Sequence, residues 1–164
     1  MKINSGVEWA AHACALLATL PPGWSLSAQA LAAYHEVPPA YMAKQLQALS
    51  KAGIVKSNRG AKGGYTLTRA ATLITLLDIF IAIEGNAPAF RCTEIRQKGP
   101  CPSSKKACKI PCIIAASFNE AETAYRDSIA RVTILDVMTV AAQSSTPSKA
   151  SAVGAWLTEH AAKL

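Results

Sequence analysis

Four of the five cysteines fall within the 22 residues RCTEIRQKGPCPSSKKACKIPC, at Cys92, Cys101, Cys108 and Cys112. Arg91, Arg96, Lys98, Lys105, Lys106 and Lys109 share that stretch with a single acid, Glu94. Thiolates are the ligands of zinc and iron–sulfur centres and the nucleophiles of redox switches. Dense cations lower thiol pKa values and offset the negative charge of a thiolate-bound centre. The cysteines are separated by eight, six and three residues. No CxxC pair of a zinc ribbon occurs, nor the regular run of a ferredoxin. Spacing alone leaves a cluster, structural zinc and a thiol switch open.

A second set of groups lies in GVEWAAHAC near the N-terminus. Glu8 and His12 stand four residues apart, so on a helix they share one face. Val7, Ala11, Cys14 and Leu17 form a different, apolar face, which makes Cys14 a small core residue. An i,i+4 polar pair on any surface helix contributes only a few tenths of a kcal/mol. Trp9, between the two polar residues, reads as a packing or interface side chain.

A third feature is electrostatic. Between Val37 and Leu77 there is no Asp or Glu, yet Lys44, Lys51, Lys56, Arg59, Lys62 and Arg69 occur. A charge run is ordinarily just a solvated face, but this one coincides with a helical stretch and a glycine-rich turn. Pro39 opens the stretch PPAYMAKQLQAL, and Tyr41, Lys44, Gln45 and Gln47 fall in its first turns, where side chains reach base edges in a major groove. In NRGAKGG, Arg59 and Lys62 suit phosphate or minor-groove contact, and Gly63 suits close backbone approach.

The elements that must position these groups follow from periodicity. A first helix is expected over Ser5–Leu20, ended by Pro21-Pro22-Gly23. A short helix follows, with Ser25 or Ser27 as N-cap, and then a second from Pro38-Pro39 to Gly53, with Met42, Leu46 and Leu49 on one face. IVKSNRGAKGGYTLT alternates around its glycines as a β-hairpin does. A helix-turn-helix followed by a hairpin is the winged-helix plan. ITLLDIFIAIEG forms the next helix, and from Cys112 to about Val140 the apolar pattern predicts one long helix. The expected organisation is a winged helix-turn-helix domain over 1–85, a cysteine-rich loop over 86–111, a dimerisation helix over 112–143, and a linker with a short terminal helix over 144–164. The fold class is mainly α with a β-hairpin wing.

Composition narrows the function classes. With 51% apolar residues the chain can build a core, and a net charge of +7 calls for a polyanionic partner. Its most apolar run, residues 70–83, contains Asp78 and is too short to span a bilayer. Glu8 and His12 interrupt the apolar patch near the N-terminus, so no export signal is expected and the compartment is a reducing cytoplasm. Disulfide stapling is then the weakest use of the cysteines. No nucleophile elbow, phosphate loop or HExxH pattern occurs, so the chain is not expected to be an enzyme.

Over about residues 1–140 the sequence resembles the IscR/NsrR/RsrR-type winged-helix regulators, the Rrf-two superfamily. MKINSGVEWAAH, PPAYMAKQLQAL, the RGAKGGY wing with the helix after it, and the downstream cysteine loop carry the resemblance. GVEWAAH and CTEIRQKGP bring it nearest to the redox-sensing [2Fe–2S] type. That resemblance implies a homodimeric bacterial transcription factor that binds inverted-repeat double-stranded DNA, without membrane attachment, and holds a [2Fe–2S] cluster between subunits. It further implies Glu8 and His12 as ligands from one subunit, and Cys108 and Cys112 as the best cysteine candidates from the other. Cys92 and Cys101 fall where other cluster-binding relatives keep ligands, so Cys92, Cys101 and Cys108 form the competing set. Trp9 matches a tryptophan beside the cluster, a candidate for redox gating. A cluster-free thiol switch and a small iron–sulfur electron-transfer or carrier protein are the alternatives.

Overall fold

The computed structural model describes residues 3–60, 63–110 and 112–164. The chain divides into two units: the residues up to Gly85 together with Ile129–Leu164, and Asn86–Ser128.

In the first unit, α1 (Ser5–Ala18) starts where the Asn4 side chain accepts the Gly6 N–H at 2.8 Å, leaving one fewer open donor at its N-terminus. A two-residue strand β1 (Trp24–Ser25) leads to α2 (Ala28–Tyr34), whose N-cap is Ser27. The other candidate cap, Ser25, is a buried strand residue. Pro39 then occupies the first turn of α3 (Pro39–Lys51), where its missing N–H leaves no bond unmade. Residues Met42, Gln45, Leu46 and Leu49 of α3 are buried, at i, i+3, i+4 and i+7, and pack with Leu26, Leu31, Ile54 and Ile79 in one core.

The hairpin β2 (Val55–Asn58) and β3 (Gly64–Leu67) pairs antiparallel, Val55 opposite Leu67 and Asn58 opposite Gly64. A bridge from Leu26 to Tyr65 joins it to the chain just after β1. Arg69 pairs with Asp78 at 3.2 Å, below the wing.

Helix α4 (Leu76–Glu84) opens on a capping box in which Thr75 and Asp78 satisfy each other's backbone N–H. After α5 (Ile113–Ala130), the expected single long helix is broken at Arg131–Thr133, and α6 (Ile134–Gln143) begins anew. The physical reason is a second capping box, Thr133 with Asp136, tied to the first. Thr75 and Thr133 form an antiparallel bridge, with Leu76 donating to Val132 at 2.9 Å and Ile134 to Ile74 at 2.8 Å. An extended residue at Thr133 cannot also carry an α-helix through. The buried Ile134 then takes α6 into the core beside α1.

The expected linker at 144–151 is also mostly helix. Thr146 caps α7 (Pro147–His160), with Pro147 in its first turn. The tail docks on the winged domain: Trp156 meets Tyr34 edge-on at 4.8 Å, and β4 (Ala162–Lys163) pairs with β1.

The second unit holds the cysteine stretch and most of α5. Phe90 stacks on Phe118 at 4.9 Å, and the Arg126 guanidinium bonds Glu122 at 2.8 Å and Asn86 at 2.8 Å. Ile95, Ile110, Ile113, Ile114 and Phe118 remain exposed, Ile113 at 78%.

Candidate nucleic-acid interface and thiol loop

On α3 the exposed positions after Pro39 are Ala40, Tyr41, Ala43, Lys44, Gln47 and Lys51. Pro39 is exposed at its start. Tyr41, at 56% exposure, sits 6.0 Å from the Trp9 ring in an edge-on contact, which links α1 to the outward face of α3.

Gln45 is a correction to the expected interface. It is 5% exposed and faces α1 rather than outward. A Cβ placed on Gly6 would lie 2.8 Å from the Gln45 carboxamide, so Gly6 is the space that admits this side chain. The spacing carried the signal, because Gln45 is three residues after Met42 and four before Leu49, on the buried stripe.

At the wing, Arg59 is exposed. Lys62 lies outside the described residues. Gly63 has a structural reason for its identity: its N–H donates to the Gly60 carbonyl at 2.9 Å, and a Cβ there would collide with the Asn58 carbonyl. The turn itself demands this glycine.

Glu8 and His12 are both exposed on α1, while Cys14 is fully buried. Burial pushes the Cys14 thiol up to about 12, against a smaller opposing pull from Arg69. This cysteine is a neutral core residue at any physiological pH. The His12 ring lies 5.6 Å from His35, whose Nε2 is buried with no hydrogen-bond partner among the described residues. Burial, and next the His12 imidazole, hold His35 below the ordinary histidine value.

Within the loop, Glu94 is the organising residue. It adopts a left-handed backbone conformation, φ 48°, uncommon for a residue with a side chain. Its carboxylate accepts from the Cys92 thiol at 3.4 Å. Arg96 holds that carboxylate at 2.9 Å and reaches the Ile110 carbonyl at 3.3 Å, closing the loop on itself. The guanidinium, more than the thiols, keeps Glu94 below the usual carboxylate range.

Cys92 is thus held beside the Glu94–Arg96 pair, and Cys108 is half-buried further along the loop. Cys112, four residues after Cys108, is turned to its own helix start, its sulfur accepting the Ala115 N–H at 3.5 Å. Cys101 is exposed. Among the described residues no three His, Cys, Asp or Glu side chains stand close enough together to hold a metal ion. The unburied loop cysteines supply thiol donors for part of a four-ligand centre, the remaining donors having to come from elsewhere.

A helix-turn-helix, a basic glycine-turned wing and an acid-free outward face on α3 define a winged-helix DNA-binding transcriptional regulator. The profile of the Rrf2 family, described as an iron-dependent transcriptional regulator, matches residues 3–140, and the chain belongs to that family. YffB of Lactococcus lactis, named as an HTH-type transcriptional regulator, is 31% identical over 84% of this chain and 86% of its own length. YwgB of Bacillus subtilis, named in the same way, is 38% identical over 56% of this chain, which spans only 58% of that relative. The structure of "T. potens IscR" superposes with TM-score 0.65 at 21% identity, covering 90% of this chain and 95% of the other. Oxidised CymR of Staphylococcus aureus superposes with TM-score 0.62 at 23% identity, over 84% and 96%. At these identities the structural likeness establishes the fold. Family and relatives are regulators of transcription, not enzymes. Among the described residues, no helix is long and apolar enough to cross a membrane.

Proposed function

We propose that this regulator is a cytoplasmic homodimer that senses redox state through a [2Fe–2S] cluster shared between subunits. The observation that carries the reading is the division of its cysteines. Cys14 is sealed in the core, whereas Cys92, Cys101, Cys108 and Cys112 lie unburied in a cationic loop.

In this reading the loop of one subunit supplies the thiolates, from Cys108 with Cys112 or Cys92, and Cys101 stands as a further candidate. Glu8 and His12 of the other subunit supply a carboxylate and an imidazole. Exchanging thiolates for histidine raises the reduction potential of such a cluster, and a cluster supplies reversible one-electron chemistry. The chain's own part is to hold these donors and transmit their displacement. Trp9, next to Glu8, rests against Tyr41 on α3, so a shift of α1 bears directly on the face offered to DNA. Two copies present two such faces, and their separation sets affinity for an inverted repeat. The exposed apolar positions Ile113, Ile114 and Phe118 of α5 supply a surface for the second copy. Tyr41, Lys44 and Gln47 read base edges, Pro39 abuts the backbone, and Arg59, Lys62 and the Gly63 turn engage the phosphates of the minor-groove side.

The test is an absorption spectrum with iron and sulfide analysis on anaerobically prepared protein, alongside light scattering for mass. Dimers with visible absorption that Glu8→Ala or His12→Ala alters support the reading. Spectra indifferent to both substitutions remove α1 as a ligand source. A second reading, a thiol switch without metal, is favoured by the same crowding of unburied cysteines among cations. Colourless protein lacking iron after reconstitution, with Cys92 and Cys108 protected together on oxidation, selects it.

A further inference from the structure

The last four residues, AAKL, are too few to form a strand by themselves, yet they pair with an edge that already exists. Lys163 is opposite Trp24 and Ala162 opposite Ser25, and the Leu164 N–H donates to the Gly23 carbonyl at 2.8 Å. The Ser25 hydroxyl donates to the Ala162 carbonyl at 3.5 Å. The isolated Leu26–Tyr65 bridge, just after β1, links this two-stranded sheet to the separate β2–β3 hairpin of the wing. Helix α7 secures the arrangement from behind, with Trp156 on Tyr34 and with Leu157 and Ala161 packed on the core.

This addition delivers a cation to the wing. An open cleft of about 570 Å³ is lined by Ser57, Asn58, Arg59, Gly60, Lys163 and Leu164. Arg59 and Lys163 are its charged side chains, and they carry the same sign. The neighbouring Lys56 is exposed as well, and no acid occurs from Val37 to Leu77. A row of cations with neutral donors beside it matches the oxygens of a nucleic-acid backbone.

We propose that the C-terminal strand is part of the DNA interface, with Lys163 contacting the phosphate backbone beside Arg59. The proposal rests on the DNA-binding reading of the wing and adds a contact from outside the region matched by the family. Such a contact is independent of base sequence, so it sets affinity and salt dependence, not operator choice.

The experiment is the salt dependence of full-length protein binding to a random-sequence duplex, followed by fluorescence anisotropy. Lys163→Gln is expected to lower the log–log salt slope by about 0.9 and to weaken binding roughly eightfold at about 0.1 M salt. Lys163→Arg keeps the charge and retains the wild-type slope. Trp156→Ala, which frees α7 from Tyr34 without altering charge, reproduces the Lys163→Gln loss. Wild-type slopes in both Lys163→Gln and Trp156→Ala, while Arg59→Gln lowers the slope, overturn the proposal and leave the wing reading intact. A wild-type protein without salt-dependent affinity for any duplex overturns both.

Discussion

Cys14 and Cys92 carry the same side chain and have opposite circumstances. Cys14 lies in a helix whose neighbours at i−4 and i+3, Ala10 and Leu17, are buried with it, so its sulfur is packed and its proton retained. Cys92 lies where no helix or strand supplies such neighbours, and its thiol reaches for a carboxylate in a loop of cations. The contrast extends to the units that contain them. The winged unit closes on itself, with Leu26, Leu46, Ile74, Ile79 and Ile134 without exposure. Among its described residues the Asn86–Ser128 unit buries one, Ala115 of α5, and leaves Ile95, Ile110, Ile113, Ile114 and Phe118 exposed. One region is complete as a single chain. The other holds its loop cysteines unburied and its apolar side chains outward, the pattern of an interaction surface.

The sharpest way to break this comparison is by truncation in each unit. Leu46→Ala is expected to destabilise the protein by about 2–5 kcal/mol, the range for a large aliphatic side chain lost from a packed core. Ile113→Ala should leave the unfolding free energy of the monomer within about 0.5 kcal/mol. Denaturant titration at protein concentrations below association checks both, and equal effects would erase the distinction between the units. Ile113→Asp with Phe118→Asp should instead shift a dimer to monomer in light scattering while the winged unit still melts cooperatively.

Thiol labelling sharpens the comparison at the level of single sulfurs. In native protein the loop cysteines are expected to react with an alkylating reagent, faster as pH rises. Cys14, held near 12 and without exposure, stays unmodified up to about pH 9 and reacts only on unfolding. Labelling of Cys14 in the folded state would mean that the core opens far more readily than its packing indicates.

Smaller effects test the edges of the winged unit. Arg59→Ala should weaken DNA binding by a few-fold through a lost phosphate or groove contact, an effect that rising salt diminishes. Gln45→Ala should change stability more than specificity, since the side chain is buried against Gly6. Thr75→Ala removes one half of a capping box and should cost about 1 kcal/mol, read as a shift in the thermal midpoint. Acidification probes the matching box. Hydrogen bonds from the Thr133 hydroxyl and then its backbone N–H hold Asp136 below the usual aspartate range. A depressed folded-state pKa gives stability that is present above the unfolded value and lost as pH falls below it, so α6 should loosen only in acid, under about pH 4.

Much of the winged plan was legible in the sequence because its signals are local. The proline pair before α3, the glycine-rich turn and the 3.6-residue stripes each specify structure within a few residues of themselves. The basic face was legible for the same reason, as an interval without acids. Two errors had local signals that other patterns outweighed. Gln45 was assigned by its polar type although its position lies on the buried stripe. The break in the predicted long helix was announced by VTILDVM, which repeats the TxLD cap of ITLLDIF some 58 residues earlier, but the apolar period continued through it. In the tail, SSTPSK read as linker by composition, whereas Thr146 and Pro147 are the start of a helix.

By itself the sequence determined which segments are helix, wing and loop, where positive charge collects, and which cysteine has apolar company, because propensity, periodicity and charge act over a turn or two of chain. Tertiary structure decided what no short segment contains. It put Trp9 on Tyr41, Thr75 beside Thr133, and Lys163 next to the wing. These are meetings of residues distant in sequence, set by how the core closes, and a chain read in order does not display the distance between its own ends.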